Sequence, residues 1–194
     1  MAEQFGIAGF VDVETTGLSP HSDEIIELAL CLFKFKWATG EIVGIVDEYV
    51  GLREPGRGIP RRATAVHGIC DCDVEGKCLD MEIVESMIHK AEFLVAHNAS
   101  FDRGFMIKLF QICQTKHWLC SMRGIRWRER GFSRMALQTL LNEHGIKVSR
   151  AHRAEDDVKA SIRLLSLRDA SGGIYFGELL QRLPSYREKY PVVG

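Results

Sequence analysis

The chain has 194 residues, of which 46% are hydrophobic and 26% charged, with five prolines. That is enough for one domain with its own core, too short for two sizeable ones, and unlike a disordered or fibrous chain. A formal net charge of −1 and a pI near 6.7 exclude nucleic-acid binding through overall basicity, so any such contact must be local.

Met1 to Gly9 lacks a basic n-region, and Asp12 and Glu14 interrupt the apolar run that follows, so no signal peptide is expected. The longest apolar stretch, Leu28 to Phe33, stops at Lys34, far short of a membrane span. The expectation is a cytosolic protein that does not engage membranes, with six reduced cysteines and no disulfide.

Residues 7 to 14 read as a strand. Turn chemistry from Thr15 to Asp23 leads to a long apolar strand, Glu24 to Phe35, and a third strand, Glu41 to Gly51. Links this short make the three antiparallel neighbours, since a parallel crossover needs about a dozen residues or more. After an irregular stretch from Arg53 to Arg62, Ile83, Val84, Met87 and Ile88 share one helical face. Phe93 to Ala96 is a short buried strand, and helices are expected near Ala99 to Cys113, Met135 to His144 and Ala154 to Arg168. Strands first and strand–helix alternation later imply an α/β fold, a mixed sheet covered by helices. The domain is expected to span residues 1–183, with Pro184 to Gly194 a C-terminal tail.

Chemistry concentrates at the ends of these elements. Asp12 and Glu14 lie two residues apart in a strand, so alternation puts both carboxylates on one face. Two anions side by side call for a raised pKa, a basic partner or a bound cation; alone, the pair could equally mark a solvated strand end. Asp102 lies where the short strand passes into a helix, a position the helix dipole also favours. In His152-Arg153-Ala154-Glu155-Asp156-Asp157, continuous helix would set His152 and Asp157 about 140° apart at roughly 100° per residue. His152 is therefore assigned to the loop and Asp157 to the helix, which lets both reach one site.

Three segments in order, Asp12-Val13-Glu14-Thr15-Thr16-Gly17-Leu18, His97-Asn98-Ala99-Ser100-Phe101-Asp102 and His152-x-Ala154-x-x-Asp157, resemble the motifs of the DEDDh exonuclease family. That group includes the proofreading epsilon subunit of bacterial DNA polymerase III and ribonuclease T. Ile25-Ile26-Glu27, Val66-His67-Gly68-Ile69 and Trp118-Leu119-Cys120 also look familial, and the likeness runs from about Gly6 to Leu183. The resemblance implies a ribonuclease H-like fold with a five-stranded mixed sheet flanked by helices. It implies that Asp12, Glu14, Asp102 and Asp157 bind two divalent cations and that His152 is the general base. Oxygen ligands suit Mg²⁺ or Mn²⁺, which would clamp the scissile phosphate of a single-stranded DNA or RNA 3′ end and release nucleoside 5′-monophosphates. A neutral His152 would make the rate rise with pH through its pKa. By analogy Leu18 is a wedge between the last bases, Thr15, Thr16 and Gly17 place backbone near the terminal nucleotide, and His67 and Asn98 are further substrate contacts. DNA against RNA stays open, as do a non-catalytic docking module and a proofreading subunit that works with a DNA polymerase partner.

The chain departs from the family pattern after Ile69, where Cys70-Asp71-Cys72-Asp73 and Gly76-Lys77-Cys78-Leu79-Asp80 replace a Pro-x-Phe element. His67, Cys70, Cys72 and Cys78 could be read as zinc ligands, but Cys-x-Cys is tighter than the spacing of structural sites, and zinc is set aside. Arg123, Arg126, Arg128, Arg130 and Arg134, with Trp127 and Phe132, read either as a phosphate-holding patch or as a solvated face with two aromatic anchors.

Overall fold

A computed structural model describes residues 3–149, 151–184 and 186. In chain order its elements are β1 (Phe5–Thr15), β2 (Ile25–Lys36), β3 (Ile42–Leu52), α1 (Arg61–His67), α2 (Asp71–Val74), α3 (Met81–Lys90), β4 (Phe93–Ala96), α4 (Ala99–Leu109), β5 (Trp118–Cys120), α5 (Ser121–Gly124), α6 (Leu137–Glu143), α7 (Ala154–Ser166) and α8 (Tyr175–Leu180). The sheet order is β3-β2-β1-β4-β5: the first three strands form the expected antiparallel meander, and β4 and β5 join parallel to β1.

Strand alternation sorts the side chains into two cores. Ala8 and Phe10 of β1 and Ala29, Cys31, Phe33 and Phe35 of β2 face α7 and α8, whereas Val11, Val13, Leu28, Leu30 and Leu32 face α3 and α4. Both faces of β2 are covered, which is why its sequence is apolar almost throughout instead of alternating. Phe35, Phe93 and Phe176 form a T-shaped and stacked cluster with centroids 5.1 to 6.3 Å apart. Phe35 pairs with Gly6, so this rigid base lies at the opposite end of β1 from Asp12 and Glu14. Each such fully buried ring contributes about 1.5–3 kcal/mol, and that end can anchor a polar site at the other.

Several boundaries differ from the sequence reading for local reasons. The helix after Asn98 stops at Leu109 because Phe110 is extended, and a 3₁₀ turn, Gln111–Gln114, follows. Ala136 is extended, so α6 starts at Leu137. On α3 the inward face is Val84, Met87 and Ile88, while Ile83 sits on its flank and is 49% exposed. The sequence reading does not place the helices α1, α2, α5 and α8, nor the three-residue β5, the fifth strand that the resemblance implies; each is too short to show a period. Residues 185 and 187–194 of the expected tail lie outside the described residues, but Tyr186 is buried and its ring lies 6.3 Å from Trp37. Among the described residues no helix is long and apolar enough to cross a membrane.

Candidate active site

Asp12 and Glu14 continue the Ala8–Phe10 side of β1, toward α7, as alternation requires. Asp102 comes from the first turn of α4 and Asp157 from the first turn of α7, and both are buried. Carboxylate oxygens of Asp12, Glu14 and Asp157 lie within 4.8 Å of one another. Asp102 adds to the same field, as the largest charge acting on Asp12. Burial first, and mutual repulsion second, push Asp12 well above the usual carboxylate range and Glu14 up to about 8. Burial likewise raises Asp102 to about 7 and shifts Asp157 upward. Four acids from three elements thus share one place, where Arg153 is the last of the charges acting on Glu14 and burial and repulsion outweigh it, an arrangement that a cation relieves. All-oxygen donors of this kind fit Mg²⁺ or Mn²⁺.

His152 is exposed in the turn before α7, at φ 60, a conformation that costs a non-glycine residue free energy and that its surroundings must hold. Two contacts do so. Its main-chain N–H donates to Asp157 Oδ2 at 3.2 Å, while Gln138 Nε2 of α6 donates to Asp157 Oδ1 at 2.7 Å. Its neighbour Arg153 reaches across to Glu27 of β2, whose carboxylate is 1% exposed. Arg153 Nε lies 3.1 Å from both Glu27 oxygens and Nη2 2.5 Å from Oε1, and the Ala154 N–H donates to Oε2 at 2.9 Å. Glu27 therefore caps the start of α7 and ties it to the strand paired with β1, directly opposite Glu14. A cleft of about 380 Å³ joins Asp12, Glu14, Asp102, His152 and Asp157 with Phe101 and Gln138.

The adjoining groove, about 630 Å³, runs past Glu14, Thr15, Gly17 and Leu18 to Arg62, Val66 and His67 of α1, with Phe101 shared between the two. Leu18 is 84% exposed at its rim. Its loop is built around Asp23: Thr16 Oγ1 donates to Oδ1 at 3.3 Å, the Ser19 N–H donates to Oδ2 at 2.9 Å, and Arg57 pairs with Oδ1. A Cβ on Gly17 would fall 2.6 Å from that carboxylate, so glycine is needed there. Thr15 Oγ1 donates to the Gly17 carbonyl at 2.6 Å. His67 is buried, accepts from the Ile69 N–H through Nδ1 at 3.0 Å, and is held below the usual histidine range chiefly by burial. Asn98, at φ 72, turns the chain from β4 into α4 and lines neither cavity.

The structure therefore gathers Asp12, Glu14, Asp102, His152 and Asp157, and places Thr15, Gly17, Leu18 and His67 along one groove, with Thr16 bracing its loop. Sequence reasoning missed Glu27, Gln138, Asp23 and Phe101 as members of the site. Glu27 carried the one visible signal, a carboxylate inside an otherwise apolar strand. Of the arginine stretch, Arg126 pairs with Glu178 and Glu129, and Arg130 with Asp169 and Glu178, while Trp127 is 1% exposed in the core. Anchoring describes these residues better than an open phosphate patch.

Known proteins resemble the chain in sequence and in fold. The sequence profile of a family described as exonuclease (RNase_T) matches residues 10–165. The PolC-type DNA polymerase III of Thermotoga maritima is 31% identical over 176 residues, 82% of this chain but 12% of that protein, so the chain spans only a small part of such relatives. The DNA polymerase III subunit epsilon of Treponema pallidum is 32% identical over 163 residues, covering 80% of this chain and 73% of the subunit. Among solved structures, exonuclease X in complex with 5′ overhanging duplex DNA superposes with a TM-score of 0.58 at 25% identity, over 88% of this chain and 99% of the other. The zinc-bound E. coli exonuclease I–single-stranded DNA complex gives a TM-score of 0.63 at 21% identity, over 84% and 40%, a likeness of fold. The fold is the expected ribonuclease H-like one.

Proposed function

Because the chain belongs to this exonuclease family, we propose that it removes nucleotides one at a time from the 3′ end of single-stranded DNA, by metal-dependent phosphodiester hydrolysis. The observation that carries the reading is the convergence of Asp12, Glu14, Asp102 and Asp157, with His152 at the rim, beside an apolar groove.

Asp12, Glu14, Asp102 and Asp157 would hold the cations, which would neutralise the acids, polarise the attacking water and stabilise charge developing on the phosphate. His152 takes the proton of the attacking water on its imidazole, which requires the neutral ring. Asp157 holds the His152 main chain, and Gln138 holds Asp157. Leu18, Val66 and Phe101 offer the apolar surface against which the last bases pack, and Arg62 supplies a positive charge on the same wall. The neutral surface overall fits a grip confined to a strand end. DNA is favoured by the relatives, which are DNA polymerase components and exonucleases solved with DNA.

The test is degradation of matched single-stranded DNA and RNA oligonucleotides with Mg²⁺ or Mn²⁺. Faster stepwise loss of DNA is expected. Preference for RNA would move the assignment to 3′-end trimming of RNA, and intact but bound oligonucleotides would favour a docking or polymerase-dependent role.

A further inference from the structure

Away from the acidic cleft, the segment in which the sequence departs from the family pattern places two thiols in contact. Cys70 caps the N-terminus of α2 and Cys72 lies in its first turn, with the two Sγ atoms 3.1 Å apart. Cys72 is exposed and Cys70 half-buried, so solutes can reach both. Asp73 secures the turn: its Oδ2 accepts from the Cys70 N–H and from the Cys70 thiol, each at 2.8 Å. Neither His67 nor Cys78 joins the group; the converging donors are Cys70, Cys72 and Asp73.

We propose that Cys70 and Cys72 are a reversible redox dithiol that closes to an intrachain disulfide by exchange with a small disulfide such as oxidised glutathione. A disulfide places its sulfurs about 2.05 Å apart, so closure asks for a movement of roughly 1 Å within one exposed turn. The Cys70 thiol, which donates to the Asp73 carboxylate, is pushed up to about 12, chiefly by that bond. Cys72 is then the entering group. Its thiolate attacks one sulfur of oxidised glutathione, forming a mixed disulfide and expelling one glutathione thiolate. Cys70, giving up its proton to solvent, attacks the Cys72 sulfur and expels the second. The protein loses two electrons and two protons, and one oxidised glutathione becomes two reduced molecules. Lying exposed at the surface, the bond belongs to the readily reduced class rather than the buried structural one.

Trypsin makes the test direct, because cleavage after Arg62 and Lys77 puts Cys70 and Cys72 alone in the peptide Ala63–Lys77, with Cys78 in the next. The full chain is first treated with chelator, then incubated with oxidised glutathione, alkylated, digested and weighed. The expected peptide is lighter by two hydrogens and carries no alkyl group; it regains two alkylatable thiols after reduced glutathione. In Cys72→Ser the same treatment leaves Cys70 single and open to alkylation or one glutathione adduct. Two alkyl groups after oxidation, two glutathione adducts, or a link to the Cys78 peptide would each overturn the proposal. The readout does not depend on nuclease activity.

Discussion

Replacing Glu27 by Gln keeps its size and removes its charge. Glu27 is 1% exposed and accepts from Arg153 Nε, Arg153 Nη2 and the Ala154 N–H. Stripping one partner from a buried ion pair costs about 3–5 kcal/mol. Arg153 is 28% exposed and can regain water, which brings the loss down to about 2 kcal/mol. A second effect has the opposite sign. Glu27 is one of the charges that push Asp12 and Glu14 upward, though a lesser one than burial, so removing it relieves some repulsion in the metal-free protein. Once Mn²⁺ neutralises the acids that relief vanishes, and the destabilisation should be larger with Mn²⁺ than with EDTA. Because Arg153 flanks His152, kcat should fall by about ten- to a hundredfold, or about 1.4–2.7 kcal/mol, as expected for a displaced catalytic group. KM should move less than about twofold, since Glu27 does not line the groove. Urea unfolding with and without Mn²⁺, steady-state kinetics, and a cycle with Arg153→Gln report these effects. If Glu27→Gln keeps stability within about 0.5 kcal/mol and kcat unchanged, the Glu27–Arg153 pair has no role in placing His152.

Three further outcomes follow from the site. Without metal, Glu14 titrates near 8 and Asp102 near 7, above their ordinary values, so the native state keeps protons that the unfolded chain has released. Native stability in EDTA should therefore fall as pH rises from about 4 to 8, and the rise in melting temperature on adding Mn²⁺ should widen over that range; a constant gap would refute the linkage. Leu18→Ala, at an 84% exposed position, should leave stability unchanged and raise KM for single-stranded DNA about five- to tenfold, consistent with a partly buried leucine contact; an unchanged KM removes Leu18 from the groove's work. Arg130→Ala should lower stability by about 1–3 kcal/mol, because Asp169 loses its arginine and Glu178 keeps only Arg126 of its two arginines. It should not alter the salt dependence of DNA binding, and a shallower slope would restore the phosphate-patch reading.

Much of this was legible in the sequence because strand alternation and helix starts are local. Asp12 and Glu14 must share a face whatever surrounds them, and the roughly 140° that a helix would set between His152 and Asp157 assigns His152 to the loop. The missed members depend on distance along the chain. Glu27 and Arg153 are 126 residues apart and meet only because β2 pairs with β1 and α7 packs across both. Gln138 reads as a surface residue until α6 sets it against Asp157. Asp23 looked like turn chemistry, yet its burial and three partners make it the centre of the groove loop. The sulfur contact between Cys70 and Cys72 depends on an extended cap residue followed by helix, which spacing alone does not specify.

The central claim is that the four carboxylates hold cations for stepwise hydrolysis from a 3′ end. It is tested most directly by time-resolved product analysis on a 5′-labelled single-stranded DNA oligonucleotide with Mg²⁺ or Mn²⁺, comparing the parent chain with Asp12→Ala and with added EDTA. The expected result is a ladder shortening one nucleotide at a time from the 3′ end, abolished by both controls. A ladder that persists in Asp12→Ala or in EDTA, or cleavage that begins inside the strand, would contradict it.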